Sequence, residues 1–238
     1  MIKFFRKKKY NWTPISEHKF ENVDYPSTNL KTNPIDPLEV EKISYPVMAH
    51  IYKKLQEKGK ITVIDFGGSN AQYYSQFKKF AGSEALNVKW LVVETKSYVD
   101  SIEAKQFENV KHFTCLDDAI KFNGGRADIL LASSVVQYIS KSLYKKLVNI
   151  AKEVDLFILD RVAICRKAKK KYKDNLGSLL TIQKDIGFPC IFLSENYIIN
   201  SLRGFSLVDS FDSVFDHQKR INKKVGICFK GYIFENAN

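Results

Sequence analysis

The stretch from Val63 to Tyr74, VIDFGGSNAQYY, decides how the chain is read. With Ile61 and Thr62 it begins as ITVIDF, an apolar run of the kind a buried central parallel strand shows. Two glycines, a serine and an asparagine follow, and AQYYSQFKKF then reads as a helix. Open parallel sheets bind ligands beyond the carboxyl ends of such strands, and glycine there permits close backbone approach and positive φ. A dinucleotide fingerprint needs GxGxxG, but counting from Gly67 puts Ser69 and Gln72 at its second and third glycines. The phosphate-cradling GxxxxGK[ST] is absent. A third pattern, acid-x-Gly-x-Gly-x-Gly, fits better when aligned on Asp65: Asp65, Gly67, Ser69 and Ala71, with small residues replacing two glycines.

Outward from this loop, strands and helices alternate. VKWLVVE, VKHFT, ADILLASS and DLFILDR read as further strands, with helices over SYVDSIEAKQF, LDDAIKF and SKSLYKKLVNIAKEV. That alternation predicts a parallel sheet covered on both faces. Near the end, SENYIINSLRGF reads as a helix closed at Gly204. SLVDSFDS and VGICFKGYIFEN read as two antiparallel strands joined by the polar turn DHQKRINKK. The fold class expected is a Rossmann-like α/β domain over 59–238, built on a mostly parallel seven-stranded sheet with an antiparallel last strand. Residues 1–58 read as an accessory extension, irregular where prolines punctuate it. Its end is predicted helical from Pro37 to Lys58, with Asp36 as N-cap and Gly59 as stop.

The chain has 238 residues and a net charge of +12. Two basic runs, Arg6–Tyr10 and Arg166–Lys173, suit either an anionic partner or a lysine-rich solvated surface. Aromatics do not interleave with them as a single-strand-binding surface requires. Cys115, Cys165, Cys190 and Cys228 form no CxxC pair, and the histidines have no ligand spacing, so no metal site is expected. Reduced thiols suit a cytoplasmic protein. No apolar run reaches the roughly 18 residues of a membrane span, and the basic start lacks the apolar stretch of a signal peptide.

Glu94 ends the second strand, where an acid is placed to accept hydrogen bonds from both ribose hydroxyls of an adenosine cofactor. Its distance from the glycine loop requires an insertion after the first helix. Taken in order, Asp65–Ser69, Trp90–Glu94, SSVVQYI at Ser133–Ile139, Asp160-Arg161, TIQ at Thr181–Gln183 and FPC at Phe188–Cys190 resemble a family of class I S-adenosylmethionine-dependent methyltransferases from bacterial surface-polysaccharide gene clusters. The family has glycine where Ala71 stands and often aspartate where Thr114 stands.

The resemblance implies S-adenosylmethionine as cofactor, S-adenosylhomocysteine as product, and no metal. It implies that Asp65, Gly67, Gly68 and Ser69 contact the methionine part and that Glu94 holds the ribose. Thr114, Cys115 and Leu116 would edge the adenine, and Ser133, Ser134, Gln137 and Tyr138 would flank the methyl group. Asp160 and His217 are the candidate bases, and Arg161 would grip an anionic group of the acceptor. The acceptor expected is a small molecule or polysaccharide precursor, methylated on a sugar hydroxyl or a phosphoryl-type group such as a phosphoramidate. The alternative is a nucleic-acid methyltransferase or a silent RNA-binding relative. No NPPY tetrad and no RNA-binding module support it.

Overall fold

The protein is seen here as a computed structural model that describes residues 43–101, 107–165, 186–213 and 227–237, with strand residues 13–14 and 176–183. Its elements in chain order are β1 (Thr13–Pro14), α1 (Tyr45–Lys58), β2 (Ile61–Phe66), α2 (Gln72–Ala81), β3 (Val88–Val93), α3 (Lys96–Ser101), β4 (Val110–Phe113) and α4 (Leu116–Phe122). They continue as β5 (Ile129–Ser133), α5 (Lys141–Ala151), β6 (Leu156–Cys165), β7 (Leu176–Gln183), β8 (Ile186–Phe192), α6 (Glu195–Ser201), β9 (Phe205–Asp212) and β10 (Ile227–Asn236).

Seven strands form one sheet in the order β4-β3-β2-β5-β6-β10-β9. β2 through β6 run parallel, and β10 inserts antiparallel between β6 and β9. This is the architecture expected from the sequence. β2, β3 and β5 are buried almost throughout. Successive side chains of a strand point to opposite faces, so the sheet divides the core in two. Ile64, Leu91, Leu130 and Ala132 face one side, with residues of α4, α5 and α6. Val63, Trp90, Val92, Ile129 and Leu131 face the other, with residues of α1 and α2.

The structure departs from the sequence reading in several places. The helix expected from Pro37 begins at Tyr45, with Ser44 as N-cap and Pro46 in its first turn. The Ser-Tyr-Pro start signal was outweighed in the sequence by Asp36-Pro37, which lies outside the described residues. Although α1 falls within the stretch read as an extension, Val47, Met48, Ile51 and Leu55 are all buried in the core. The insertion after α2 is a 3-10 turn, Gly82–Asn87. In α5 the buried residues are Tyr144, Leu147, Val148 and Ala151, with Leu143 and Ile150 partly buried beside them and Val154 buried just beyond the helix.

The stretch between β6 and α6, left without elements in the sequence reading, contains the antiparallel pair β7–β8. With β1 it makes a separate three-stranded sheet. β8 lies against the short 3-10 segment Val136–Tyr138 that follows β5. Among the described residues no helix is long and apolar enough to cross a membrane.

Candidate functional site

The chain crosses from β2 to one side of the sheet and returns through β5 on the other. The carboxyl ends of these two neighbours therefore bound a crevice, the position where open α/β sheets take ligands. Gly67 has φ +73°, and a Cβ there would lie 2.7 Å from Val135 Cγ2. Gly68 lies directly over the Asp65 carboxyl group, and its Cβ would fall 2.4 Å from Asp65 Cγ. Only glycine fits both places.

Ser69 and Ala71, which replace the other two motif glycines, have φ of 56° and 60°. The loop thus keeps a glycine path on L-residues, at an expense of roughly 1–2 kcal/mol each. Two more residues, Ser134 at 56° and Arg161 at 51°, complete the non-glycine residues with left-handed φ among those described. All four lie at the carboxyl edge of the sheet. Backbone strain concentrates where a surrounding structure over-determines a functional geometry.

Asp65 is fully buried. Its Oδ2 accepts a hydrogen bond from Trp90 Nε1 at 3.0 Å, and its Oδ1 has no partner. Burial raises its pKa to about 7; the Trp90 bond lowers it and the charge of Glu94 raises it further. Two other buried acceptors lack partners at this edge, Asn70 Oδ1 in the loop and Gln137 Oε1 after β5. A buried polar atom left unsatisfied is destabilising, so a ligand that donates hydrogen bonds suits this crevice.

Glu94 follows β3. Its Oε1 accepts from Ser69 N at 3.0 Å and its Oε2 from Thr95 N at 3.0 Å. Burial raises its pKa against the lowering effect of those two bonds. Ser69 is held on all sides, since its Oγ donates to Tyr98 OH at 2.9 Å and its carbonyl oxygen meets His112 Nε2 at 3.2 Å. Of the residues expected beside an adenine, Thr114 is exposed, Cys115 is a half-buried free thiol at the start of α4, and Leu116 is buried.

The third group centres on Asp160 at the end of the β5–β6 ladder, also fully buried. Its Oδ2 accepts from Ser44 Oγ at 3.1 Å and from the Tyr73 hydroxyl, and its Oδ1 accepts from Arg161 N at 2.8 Å. Ser44 caps α1, which places the carboxylate at the positive end of that helix. Between Leu159↔Tyr232 and Val162↔Lys230, two residues of β6 oppose one of β10. This bulge re-aims the Asp160-Arg161 pair, as bulges beside sites do. Arg161 Nε donates to Ser133 Oγ at 3.0 Å, and Ser133 Oγ donates to Tyr73 OH at 2.7 Å. The Arg161 guanidinium lies 5.5 Å from the Tyr73 ring centroid. Burial first, and then the Asp160 charge, hold the Tyr73 phenol well above its ordinary pKa.

Ser134 N bonds to Asp160 O at 2.9 Å, joining this group to the segment after β5. Gln137 is 2% exposed, and its Nε2 donates to Ser134 O at 3.0 Å and Ser134 Oγ at 3.2 Å. Tyr138 closes the 3-10 turn with its N bonded to Val135 O. Thr181 and Gln183 fall on β7, and Phe188, Pro189 and Cys190 on β8. His217 and both basic runs lie outside the described residues. Sequence reasoning missed Tyr73, Ser44, His112 and Asn70. Asn70 and Tyr73 stand within the quoted stretch; Tyr73 falls in the first turn of the helix that follows the loop, a position that faces the strand ends. His112 carried no comparable signal.

No known protein family's sequence pattern matches the chain, and no curated protein matches it in sequence. Solved structures do match. The fold is similar to coclaurine N-methyltransferase bound to N-methylheliamine and SAH, at 11% identity, 81% of this chain, 70% of that one and a TM-score of 0.51. It is similar to the N-terminal domain of EvdMO1 in the presence of SAH and D-fucose, at 10% identity, 86% and 84% coverage and a TM-score of 0.51. An O-methyltransferase family protein from Burkholderia thailandensis matches at 14% identity over 82% of this chain and 56% of that one, with a TM-score of 0.50. The chain has the Rossmann-like fold of these methyltransferases.

Proposed function

We propose that the protein is an S-adenosylmethionine-dependent methyltransferase. The observation that carries this reading is the β2–α2 loop. It follows a left-handed path at Gly67, Ser69 and Ala71, closes over a buried carboxylate with one unpartnered oxygen, and is tied to the strand-three acid Glu94. The residues present fit the cofactor. Asp65 Oδ1 and Asn70 Oδ1 would receive hydrogen bonds from its ammonium, the backbone of Gly67 and Gly68 would run beside its methionine chain, and Glu94 would accept from its ribose. Thr114, Cys115 and Leu116 would border its base. Bound there, it supplies a methyl group activated by a sulfonium.

The chain's own residues would position the acceptor in line with that methyl group, which is where much of the rate enhancement of such displacements arises. Ser133, Ser134, Gln137 and Tyr138 line the acceptor side, and Gln137 Oε1 is a fixed acceptor because its amide nitrogen is committed to Ser134. Asp160 is sealed from solvent and its oxygens already accept three hydrogen bonds. A proton from an acceptor hydroxyl would therefore reach it through Ser133 Oγ and Tyr73 OH rather than directly. Arg161, turned by the bulge, would stand toward an acidic group of the acceptor.

For the acceptor, the ordered motifs of the chain support a sugar hydroxyl or a phosphoryl-type group on a surface-polysaccharide precursor. Calorimetry with S-adenosylhomocysteine tests the cofactor: saturable binding is expected, and no heat at millimolar ligand with folded protein would overturn the reading. Transfer of labelled methyl to RNA but to no nucleotide-linked sugar would overturn the acceptor.

A further inference from the structure

We propose that a cleft on the opposite edge of the sheet, at the amino ends of β2, β3 and β4, binds a nucleoside phosphate, with the phosphate between Lys89 and Lys111 and the base against Phe122 and Leu86. The cleft encloses about 480 Å³, within the roughly 300–1,000 Å³ of small-molecule sites. It is separate from the crevice above and does not depend on what that crevice binds.

Lys89 pairs with Thr62 in the sheet and Lys111 pairs with Leu91, two residues further along β3. The period of two therefore sets both side chains on one face. Their ammonium groups converge on one ring, at 5.5 Å and 4.4 Å from the Phe122 centroid. Lys60, just before β2, lines the same cleft. Among the described residues none of these three lysines has a carboxylate within ion-pair distance, whereas Lys54, Lys58 and Arg126 are ion-paired; Lys89 Nζ donates only to the neutral Asn123 Oδ1, at 2.9 Å. Two carboxylates also line the cleft. Asp128 is committed to Lys58 and to Thr62 N, which leaves Glu108 against three cations.

Three cations against one carboxylate leave an excess of positive charge that suits an anion, and lysine serves phosphate as a point charge. The apolar side of the cleft narrows the choice. Leu86 is 66% exposed and Phe122 44% exposed beside those cations. Inorganic phosphate would leave that surface in water, whereas a base offers it a flat π-face. The exposed side chain of Asn87 on the rim can meet the base edge.

The test is calorimetry of the full chain with UDP in excess S-adenosylhomocysteine, so that no nucleotide reading comes from the other edge. UDP should bind, more tightly than inorganic phosphate, and its affinity should fall with salt. Lys89→Gln/Lys111→Gln should weaken it about tenfold or more, while the charge-matched control Lys79→Gln/Lys145→Gln should not. Phe122→Ala should weaken UDP and leave phosphate unchanged. A short oligouridylate binding more tightly than UDP would identify a nucleic-acid end as the source, and equal or weaker binding a free nucleotide. No UDP binding at millimolar concentration, or equal loss in the control, would overturn the proposal.

Discussion

Replacing Gly68 by alanine tests the loop in its tightest place. The new methyl would lie 2.4 Å from both Asp65 Cγ and Asp65 Oδ2 and 2.8 Å from Oδ1. The carboxyl cannot swing away cheaply, because it is fully buried and Oδ2 holds the Trp90 indole. Overpacking of this kind amounts to about 1–3 kcal/mol. Displacing the carboxyl from Trp90 adds about 1.5–3 kcal/mol if it is charged. Alanine returns about 0.4–1 kcal/mol by restricting the unfolded chain, since Gly68 has no left-handed φ to relieve. The net expectation is about 1.5–5.5 kcal/mol of destabilisation, read from urea unfolding, together with loss of S-adenosylhomocysteine binding. In an Asp65→Ala background the methyl meets an opened space, so the same substitution should be nearly silent. A Gly68→Ala protein within about 0.5 kcal/mol of the parent, or an equal loss in both backgrounds, would refute the clash.

Glu94→Ala should weaken S-adenosylhomocysteine binding by about 1.5–3 kcal/mol and, because Ser69 N loses its acceptor, speed hydrogen exchange at that amide; an unchanged amide would show that the loop does not depend on Glu94. The pKa of Asp65 is raised from 3.8 to about 7 in the fold, so the folded state binds more protons than the unfolded one between those values. Stability of the ligand-free protein should therefore fall as pH rises from about 4 to 7, by at most on the order of 4 kcal/mol, and level off above; Asp65→Asn should flatten that profile, and parallel profiles would remove Asp65 as its cause. Tyr73→Phe takes one donor from buried Asp160 and the acceptor from Ser133, so unfolding should be easier by about 1–3 kcal/mol, measured by urea titration; an unchanged midpoint would mean that the Ser133–Tyr73–Asp160 chain carries no structural weight.

Local chemistry was enough for the order of the elements of the seven-stranded sheet, though not for the β7–β8 pair. The mostly apolar strands β2 and β3 read as buried on both faces, and the glycines of 67 and 68 mark where backbone must turn and approach closely. The short polar connection before VGICFKGYIFEN made its antiparallel pairing legible for the same reason, because a parallel return needs a longer crossover. The acid-glycine loop and the acid of the next strand were readable because both lie beside the strands that position them.

Tertiary structure decided what depends on contacts distant in sequence. Ser44 and Asp160 are 116 residues apart and Tyr73 and Asp160 are 87 apart, so no local pattern could reveal that Asp160 is a sealed hub rather than an open carboxylate. The bulge that turns Arg161 arises from its pairing with β10, near the other end of the chain. Ser69 and Ala71 look like departures from a glycine motif in sequence. The fold holds their backbone left-handed all the same, because Glu94, Tyr98 and His112 hold Ser69 from three directions. Propensity is a local quantity, and here long-range hydrogen bonds outweigh it.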